Sequence, residues 1–279
     1  MRPTVSRVEY SSGDVYCGER RNEKRNGHGT YTWKNGDIYE GNFVNDMKNG
    51  IGKITYINGD IYEGEFIDDM KTKGKIVYED GDSYEGEWKD DVKHGIGIFT
   101  YGADGSHFIG EFNHDFYHKG KFVCVSEGWS YDGDWNENMP SRGVFFYANG
   151  DVYEGHLEDD VKHGKGVMKY ADGSIYEGDF LNDLKCGFGT MSDLKGNIYE
   201  GHYLDDKRHG IGKFICSDGS IYEGEYAEDC AVQGKGRYIA TDGTVDIIEA
   251  MPGSTISLDT STQQIHSTTA PVELLTVSD

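Results

Sequence analysis

The chain has 279 residues, of which 27 are Lys or Arg and 50 are Asp or Glu, so its formal net charge is −23. Nucleic-acid binding depends on clustered Lys and Arg that neutralise phosphates, so we expect no nucleic-acid partner. The five cysteines form no close pairs, which is typical of a reducing compartment. We see no signal peptide and no apolar run near the roughly 18–20 residues that cross a bilayer, so we expect an intracellular, cytoplasmic protein.

Residues 1–12 are predicted to form a short amino-terminal tail with an opening strand at residues 4–10. The first 30 residues carry six basic and four acidic side chains, against the acidic trend of the rest. Three interpretations of this basic end stay open. It could dock an acidic partner or the next copy of the chain head to tail, contact a phosphoinositide membrane as a tether, or form an ordinary solvated loop.

A tripeptide of the form Tyr-Glu-Gly, or a close variant, recurs ten times between residues 13 and 248 at steps of 22–24 residues. A fixed period of this size indicates a stacked array in which each unit buries its apolar face only against its neighbours. We therefore expect one repeat domain over residues 13–248. The aromatic residues that begin the tripeptides are Tyr16, Tyr39, Tyr62, Tyr84, Phe108, Tyr131, Tyr153, Tyr176, Tyr199 and Tyr222.

Each repeat is predicted to be a β-hairpin, and residues 36–58 are the clearest example. Alternation places Tyr39, Gly41 and Phe43 on one face of the first strand, and a second alternating run follows. The predicted fold is all-β: an elongated single-layer antiparallel β-meander of about ten hairpin repeats.

Two kinds of connection are predicted between these strands. A polar loop at residues 45–50 closes the hairpin. Asn-Gly or Asp-Gly pairs such as Asn35-Gly36 join one repeat to the next, and such pairs favour a type I′ turn because both residues accept a positive φ.

The two faces of the predicted sheet differ in chemistry. Glycine weakens a strand unless something must approach its backbone closely, so we expect each aromatic ring to lie over a neighbouring glycine and form a thin core. The opposite face carries a row of glutamates, which is either an electrostatic strip for a basic partner or a solubilising surface that discourages sheet stacking. These residues are Glu40, Glu63, Glu85, Glu154, Glu177, Glu200 and Glu223.

Two polar patterns could indicate chemistry. Acidic pairs such as Asp68-Asp69 recur between strands, but a basic residue follows most of them and the ligand spacing of an EF-hand is absent. His94, His163 and His209 share one phase of the repeat, which places them about 10 Å or more apart, too far to share a metal. We therefore predict turn residues, no metal, no cofactor, no catalytic residue and no enzymatic activity.

The repeats between residues 105 and 147 depart from the pattern and contain additional aromatic residues. Exposed aromatic and Met side chains along a groove are typical of binding hot spots, whereas drift in a tolerant array would also produce such departures. We place the candidate partner site here. Its residues are Phe108, Phe116, Tyr117, Trp129, Tyr131, Trp135 and Met139.

The repeat pattern resembles the MORN (membrane occupation and recognition nexus) family, whose motif is Tyr-x-Gly-x-aromatic followed by Gly-x-Gly and a further Gly. The motif is met at residues 39–59 and 153–173 and again from Tyr176 onward. The resemblance implies an extended antiparallel sheet with a scaffolding or protein-binding role. Members of this family occur in flagella, membrane contact sites and cell-division structures, and as modules attached to enzymes.

Residues 249–279 are predicted to be a flexible Ser/Thr-rich tail, open to phosphorylation. Met251-Pro252-Gly253 followed by Ser261-Thr262 is similar to the segment that joins MORN repeats to the catalytic half of a SET-domain lysine methyltransferase. The sequence contains no Asn-His-Ser/Cys cofactor motif of that enzyme.

The leading hypothesis is a non-catalytic scaffold that binds an extended or helical segment of a partner protein along its aromatic groove, in a cytoskeletal, ciliary or membrane-contact assembly. The first alternative is the accessory MORN region of a SET-type methyltransferase that lacks its catalytic domain. The second is a phosphoinositide or membrane tether that uses the basic amino-terminal end. The sequence leaves the oligomeric state open.

Overall fold

The computed structural model describes residues 4–247, 255–259 and 264–268, and these residues form strands and turns without any helix. By their contacts they divide into two compact units, unit 1 (Met1–Gly143) and unit 2 (Val144–Asp279). The predicted all-β class is confirmed, and each unit is an antiparallel meander.

Unit 1 is built from strands that pair antiparallel with the next strand in the chain, from β1 as far as β12. The division between the units falls within β13. The strands are β1 (Thr4–Glu9), β2 (Val15–Arg21), β3 (Lys24–Thr32), β4 (Ile38–Val44), β5 (Met47–Thr55), β6 (Ile61–Ile67), β7 (Met70–Val77), β8 (Ser83–Lys89), β9 (Val92–Thr100), β10 (His107–Asn113), β11 (Phe116–Cys124), β12 (Trp129–Asn136) and β13 (Met139–Phe146).

Unit 2 follows the same plan, with neighbours in the chain paired antiparallel from β14 to β22. β23 then pairs with both β21 and β24. The strands are β14 (Val152–Glu158), β15 (Val161–Lys169), β16 (Ile175–Leu181), β17 (Leu184–Ser192), β18 (Ile198–Leu204), β19 (Lys207–Ile215), β20 (Ile221–Ala227), β21 (Cys230–Ile239), β22 (Val245–Ile247), β23 (Thr255–Asp259) and β24 (Gln264–Thr268).

The ten predicted repeats correspond to ten consecutive pairs of strands from β2 to β21, and β1 is the predicted opening strand. β23 and β24 lie within residues 249–279, so part of the segment predicted as a flexible tail forms a hairpin. Met251-Pro252-Gly253 and Ser261-Thr262, on which the similarity to a methyltransferase rests, lie outside the described residues.

The prediction of a polar loop at residues 45–50 was wrong. Asn45 and Asp46 have φ values of 51° and 76°, so a two-residue type I′ turn joins β4 to β5. The same pair of positive φ values recurs in the other repeats, for example at Asp68 and Asp69. Asn and Asp tolerate this conformation because their short polar side chains bond locally, so the second strand begins immediately after the turn.

The prediction of a type I′ turn at Asn35-Gly36 was also wrong. Only Gly36 of this pair has a positive φ (102°). The Trp33 N–H donates to the Asp37 carbonyl (2.9 Å), and the Gly36 N–H donates to the Trp33 carbonyl (3.0 Å). This is the three-residue hairpin loop in which a type I turn is followed by a left-handed glycine.

The core of each repeat is one aromatic ring lying over two glycines, as the sequence predicted. Gly41 and Gly52 face each other across β4 and β5, and the fully buried Tyr39 ring covers both. A methyl group on either glycine would come within 3.0 Å of Tyr39 atoms. The Tyr39 hydroxyl donates to the Asn42 carbonyl (2.9 Å), so its one polar group is satisfied.

These rings touch edge to face along each unit. Tyr39 meets Phe43 of its own hairpin at 5.1 Å and Phe66 of the next hairpin at 5.3 Å, with both interplanar angles at 85°. In unit 2, Tyr176 meets Phe180 at 5.2 Å and Tyr203 at 5.1 Å. T-shaped pairs add about 0.5–1.5 kcal/mol beyond burial, so the ladder of rings takes the place of a second structural layer.

Candidate functional site

Nine residues after the first aromatic residue of most repeats stands a Lys or Arg whose side chain lies over aromatic rings. We call these residues the cation row; they are Arg25, Lys48, Lys71, Lys93, Lys162, Lys185 and Arg208. The type I′ turn places each of them near the start of a second strand, on the face that carries the rings. The sequence showed basic residues following most of the acidic pairs, but their packing on the rings was missed.

Lys71 is the most deeply buried cation of the row, at 8% exposure. Its Nζ lies 5.5 Å from the ring centroid of Tyr56, 4.9 Å from that of Tyr62 and 4.9 Å from that of Trp88. Burial lowers the pKa of Lys71, and Asp91 partly offsets that effect. Burial lowers the pKa of Lys48 in the same way. The rings supply the attraction that such a desolvated ammonium needs.

A second line of aromatic side chains stays half-buried on the same face, and we call it the aromatic row. In unit 1 it consists of Tyr10, Trp33, Tyr56, Tyr78 and Tyr101. Each of these residues directly follows its strand and enters the loop to the next hairpin, which has three residues after the first four of them and four residues after Tyr101, so its ring reaches past the glycine-covering layer. The cation row lies between the two layers of rings.

An open cavity of about 290 Å³ marks this face in unit 1. Trp33 and Tyr31 line it beside Lys48, and Asp69 adds a carboxylate. Burial raises the pKa of Tyr31 to about 12. In unit 2, a cavity of about 170 Å³ occupies the matching face next to Lys185, Tyr203 and Arg208. Both cavities combine aromatic surface with cations and carboxylates.

Hydrogen bonds between successive hairpins hold the cation row in place. The Lys48 N–H donates to the Asp69 carboxylate (2.8 Å), and the Asp69 N–H donates to the Lys48 carbonyl (3.0 Å). The same carboxylate bond links Lys185 to Asp206 (2.9 Å). Asp69 and Asp206, the second members of two acidic pairs, are therefore connectors between repeats.

Four of the seven predicted partner-site residues are buried, which contradicts the expectation that they would be exposed. Phe108 and Tyr131 are fully buried, and Tyr117 and Trp135 are 8% and 9% exposed. Phe108 and Tyr131 keep the phase of the glycine-covering ring, so their position in the repeat buries them. The Trp135 Nε1–H donates to the Gly120 carbonyl (3.0 Å), which fixes its ring in the core.

The remaining three predicted site residues do not form one surface. Trp129 is half-buried beside Phe122, with ring centroids 5.3 Å apart. Phe116 and Met139 are 45% and 43% exposed. Each directly precedes the residue that holds the cation-row position of its repeat, so strand alternation turns it to the opposite face. The structure therefore groups Trp129 with the buried aromatic residues and separates Phe116 and Met139 from them.

The opposite face, here called the outer face, pairs several of the predicted glutamates with basic side chains across the strands. Lys53 lies between Glu40 and Glu63 in the register, and its Nζ is 2.8 Å from the Glu63 carboxylate. In unit 2, Arg237 bonds Glu223 at 2.6 Å. Cross-strand neutralisation makes the outer face less acidic than the glutamates alone suggested.

Within the described part of the chain, no three His, Cys, Asp or Glu side chains converge as metal ligands would. A helix long and apolar enough to cross a membrane is likewise absent from those residues.

The family model for the MORN repeat matches the chain in eight segments that together cover more than half of it. They are residues 16–38, 39–61, 62–83, 84–105, 131–152, 153–175, 176–197 and 199–221. The interval between the fourth and fifth segments contains Phe108 and Tyr117, where the sequence departs from the pattern. No curated protein matches the chain.

Several solved structures show weak likeness. The TCP10 domain of Danio rerio CPAP is 11% identical with a TM-score of 0.32, over 88% of this chain and 100% of that one. The same domain with a peptide of Danio rerio STIL is 15% identical with a TM-score of 0.26, over 88% and 100%. The Drosophila melanogaster SAS-4 TCP domain with a proline-rich motif of Ana2 is 9% identical with a TM-score of 0.24, over 90% and 96%. Similarity at this level has no bearing on what this chain binds.

Proposed function

We propose that this chain, which belongs to the MORN-repeat family, is a non-catalytic scaffold that binds an extended segment of a partner protein across its aromatic face. The observation that carries the proposal is the aromatic row of unit 1, a line of half-buried rings that recurs once per hairpin beside the cation row. Rigid aromatic surface next to cations is the composition of binding hot spots.

The spacing of the aromatic row favours one conformation of the bound segment. Successive members such as Trp33, Tyr56 and Tyr78 are two strands apart, a distance of about 9.6 Å. A polyproline II helix advances about 9.3 Å in its three-residue turn. A segment in that conformation, running across the strands, presents every third side chain to successive rings.

Other conformations fit this spacing less well. An extended β-strand covers about 10 Å in three residues, but its side chains alternate with period two, so every third one points away from the groove. Two turns of an α-helix advance about 10.8 Å, so a helical segment loses about 1.2 Å of register at each successive ring. We therefore propose a partner segment rich in proline or in residues that adopt the polyproline II conformation, docked on aromatic surface.

Selection of peptides from a random library on the immobilised full chain tests this proposal. We expect enriched sequences to repeat proline or an apolar residue at every third position. Replacing Trp33, Tyr56 and Tyr78 together by Ala should weaken binding of a selected peptide by about tenfold or more, because each ring contributes contact area at the site.

A matched control uses the outer face of the same hairpins. Val44, Ile51 and Ile67 are 43%, 69% and 52% exposed, and their joint replacement by Ala should leave peptide affinity unchanged. Enriched peptides without a three-residue period, or equal losses in the two triple variants, would refute the proposed mode of binding. Circular dichroism shows whether both variants keep their strands.

The membrane tether receives less support, because several basic residues at the amino-terminal end are engaged within the chain. Arg25 packs on Tyr31 and Phe43 at 4.8 and 5.0 Å, and Arg7 pairs with Glu9 at 2.6 Å. We place the scaffold in the cytoplasm, in a cytoskeletal or ciliary assembly, in accord with the acidic composition and the resemblance given above. Proximity labelling in the native cell tests this location.

A further inference from the structure

The outer face of unit 1 contains one apolar interruption of its charged ladder. Ile98 on β9 and Ile109 on β10 are directly opposite each other and are 43% and 47% exposed. Ile96 adds a third exposed side chain, at 62%. Seven other repeats carry Glu at the position of Ile109, so the apolar patch stands where the array otherwise places a carboxylate.

The charges on either side of this patch are arranged with opposite signs. Across the strands from β7 to β12, one row of directly paired residues contains two isoleucines in the centre, a glutamate on one side and a lysine on the other. The row is Lys75, Glu85, Ile98, Ile109, Lys121 and Asp132. When the row is read in the opposite direction, an acidic residue stands at each position that held a lysine, and a lysine stands at each position that held an acidic residue.

A neighbouring row on the same face repeats the charges on both sides but differs at the centre. It contains Lys73 opposite Glu87 on one side, and Lys119 opposite Asp134 on the other. Between them, Ile96 lies opposite Glu111. Under a two-fold rotation Lys73 therefore meets Asp134 and Glu87 meets Lys119, so the outer parts of this row are complementary in charge, while Glu111 meets Ile96 near the centre.

We propose that the outer face of unit 1 binds a second copy of this chain, sheet against sheet. The two-fold axis lies between the sheets, parallel to the strands and midway between Ile98 and Ile109. Under this rotation Ile98 meets Ile109 of the second copy, Glu85 meets Lys121, and Lys75 meets Asp132. An interface of this kind uses the same surface on both copies, as a two-fold axis requires.

The isoleucine pair sets the register of this contact. A strictly alternating ladder of Glu and Lys, as on β4 to β8, is complementary to itself at several offsets and consists only of charges that are costly to remove from water. The Ile98–Ile109 centre is apolar and occurs once in unit 1. It combines hydrophobic burial in the middle with charge pairs at the rim, which is the usual anatomy of a protein interface.

The size of the surface is sufficient for a specific contact. Six strands of about seven residues present about 600 Å² on each copy, at about 4.8 Å between strands and 3.3 Å per residue. The total of about 1,200 Å² lies at the lower end of standard interfaces. We therefore expect a reversible dimer that weakens as salt screens the rim charges.

Sedimentation velocity of the full chain over a concentration series tests the dimer. We expect concentration-dependent dimerisation, and Ile109→Glu should raise the dimer dissociation constant by about tenfold or more. That variant restores the residue which seven other repeats carry, so its fold is retained. As a matched control, Ile51→Glu changes an isoleucine that is 69% exposed on the outer face of β5 and should leave dimerisation unchanged.

A charge exchange tests the orientation of the two copies. Glu85→Lys and Lys121→Glu should each weaken the dimer, because each places like charges opposite one another, and the double variant should recover most of the loss. A monomeric wild type would overturn the proposal. Dimerisation unaffected by Ile109→Glu, or a double variant as weak as the sum of the single ones, would equally overturn it.

Discussion

Tyr117 stacks on Phe108, with ring centroids 4.0 Å apart and ring planes 14° from parallel. Tyr117 stands nine residues after Phe108, where the cation row has Lys or Arg. Its hydroxyl lies 2.9 Å from that of Tyr101, so a hydrogen bond between tyrosines joins the core to the aromatic row. In this irregular repeat Tyr117 takes the packing position of the cation, so an aromatic ring with a hydroxyl group replaces the positive charge.

The first prediction concerns this tyrosine pair. Tyr117→Phe and Tyr101→Phe should each lower the free energy of unfolding by about 1 kcal/mol, because each leaves one hydroxyl without its partner. The double variant should lose less than the sum, with a coupling energy of about 1 kcal/mol. Urea denaturation measures these values. Tyr78→Phe is the control, because Tyr78 occupies the same position in its repeat as Tyr101 but its ring centroid lies 6.0 Å from Lys93 Nζ. Additive effects of Tyr117→Phe and Tyr101→Phe would argue against the hydrogen bond.

The second prediction concerns the glycine that the Tyr39 ring covers. Gly52→Ala should destabilise the protein by about 3 kcal/mol, because its methyl group would come within 3.0 Å of that ring and force it to move. The adjacent change Ile51→Ala, on the outer face, should cost about 0.5 kcal/mol or less. Thermal and urea midpoints compare the two. A Gly52→Ala protein with the wild-type midpoint would show that the ring does not need bare backbone.

The third prediction concerns the connector Asp69. Asp69→Ala should cost about 1–2 kcal/mol, because it removes the acceptor of the Lys48 N–H and places a residue without a local side-chain bond at φ 73°. Asp69→Asn should be nearly neutral, because Asn138 already accepts from the Tyr117 N–H at 2.7 Å in the equivalent position. Equal destabilisation by Ala and Asn would mean that the negative charge, and not the hydrogen bond, matters.

The fourth prediction concerns alkaline pH. Burial raises the pKa of Tyr16, Tyr39 and Tyr199 from 10.0 to about 12. Between pH 10 and 12 the folded state therefore binds more protons than the unfolded state, so stability is fully present below pH 10 and is lost as the pH rises through 12. The lowered pKa values of Lys48 and Lys71 act in the opposite direction, but the raised tyrosines outnumber them.

Phenolate absorbance and circular dichroism, followed together during alkaline titration, check this. Ionisation of the buried tyrosines should coincide with loss of strand signal. Tyrosines that all ionise near pH 10 while the strands persist would contradict the prediction.

The sequence was sufficient to predict the packing of Tyr39 over Gly41 and Gly52, because the period-two alternation and the fixed repeat determine which side chains share a face. It misled at Phe108 and Tyr131, where an unusual local sequence suggested an exposed site although both residues hold the phase of a core ring. Position in the repeat predicted burial better, because the geometry of the sheet determines which side chains are buried and the identity of the neighbouring residues does not.

The cation row could not be identified in the same way. A Lys shortly after a turn Asp, such as Lys48 after Asp46, is ordinary in a solvated turn. Its place among Trp33 and Phe66 depends on the type I′ turn that starts β5 at Met47. The positive φ values that create this turn occur at Asn and Asp, whose preference for that conformation is too weak to predict the turn from sequence alone. The face of the sheet that carries Lys48 was therefore known only from the structure.

The edge-to-face contacts of Tyr39 with Phe43 and Phe66 have a consequence for folding. Each ring meets only its own hairpin and the adjacent one, and the connectors such as Asp69 have the same short reach. Contacts of low sequence separation let a chain assemble by nucleating at one hairpin and propagating to its neighbours, as a zipper closes. Amide exchange in unit 1 should therefore be slowest at its middle strands and fastest at β1, since an end hairpin has a neighbour on one side only.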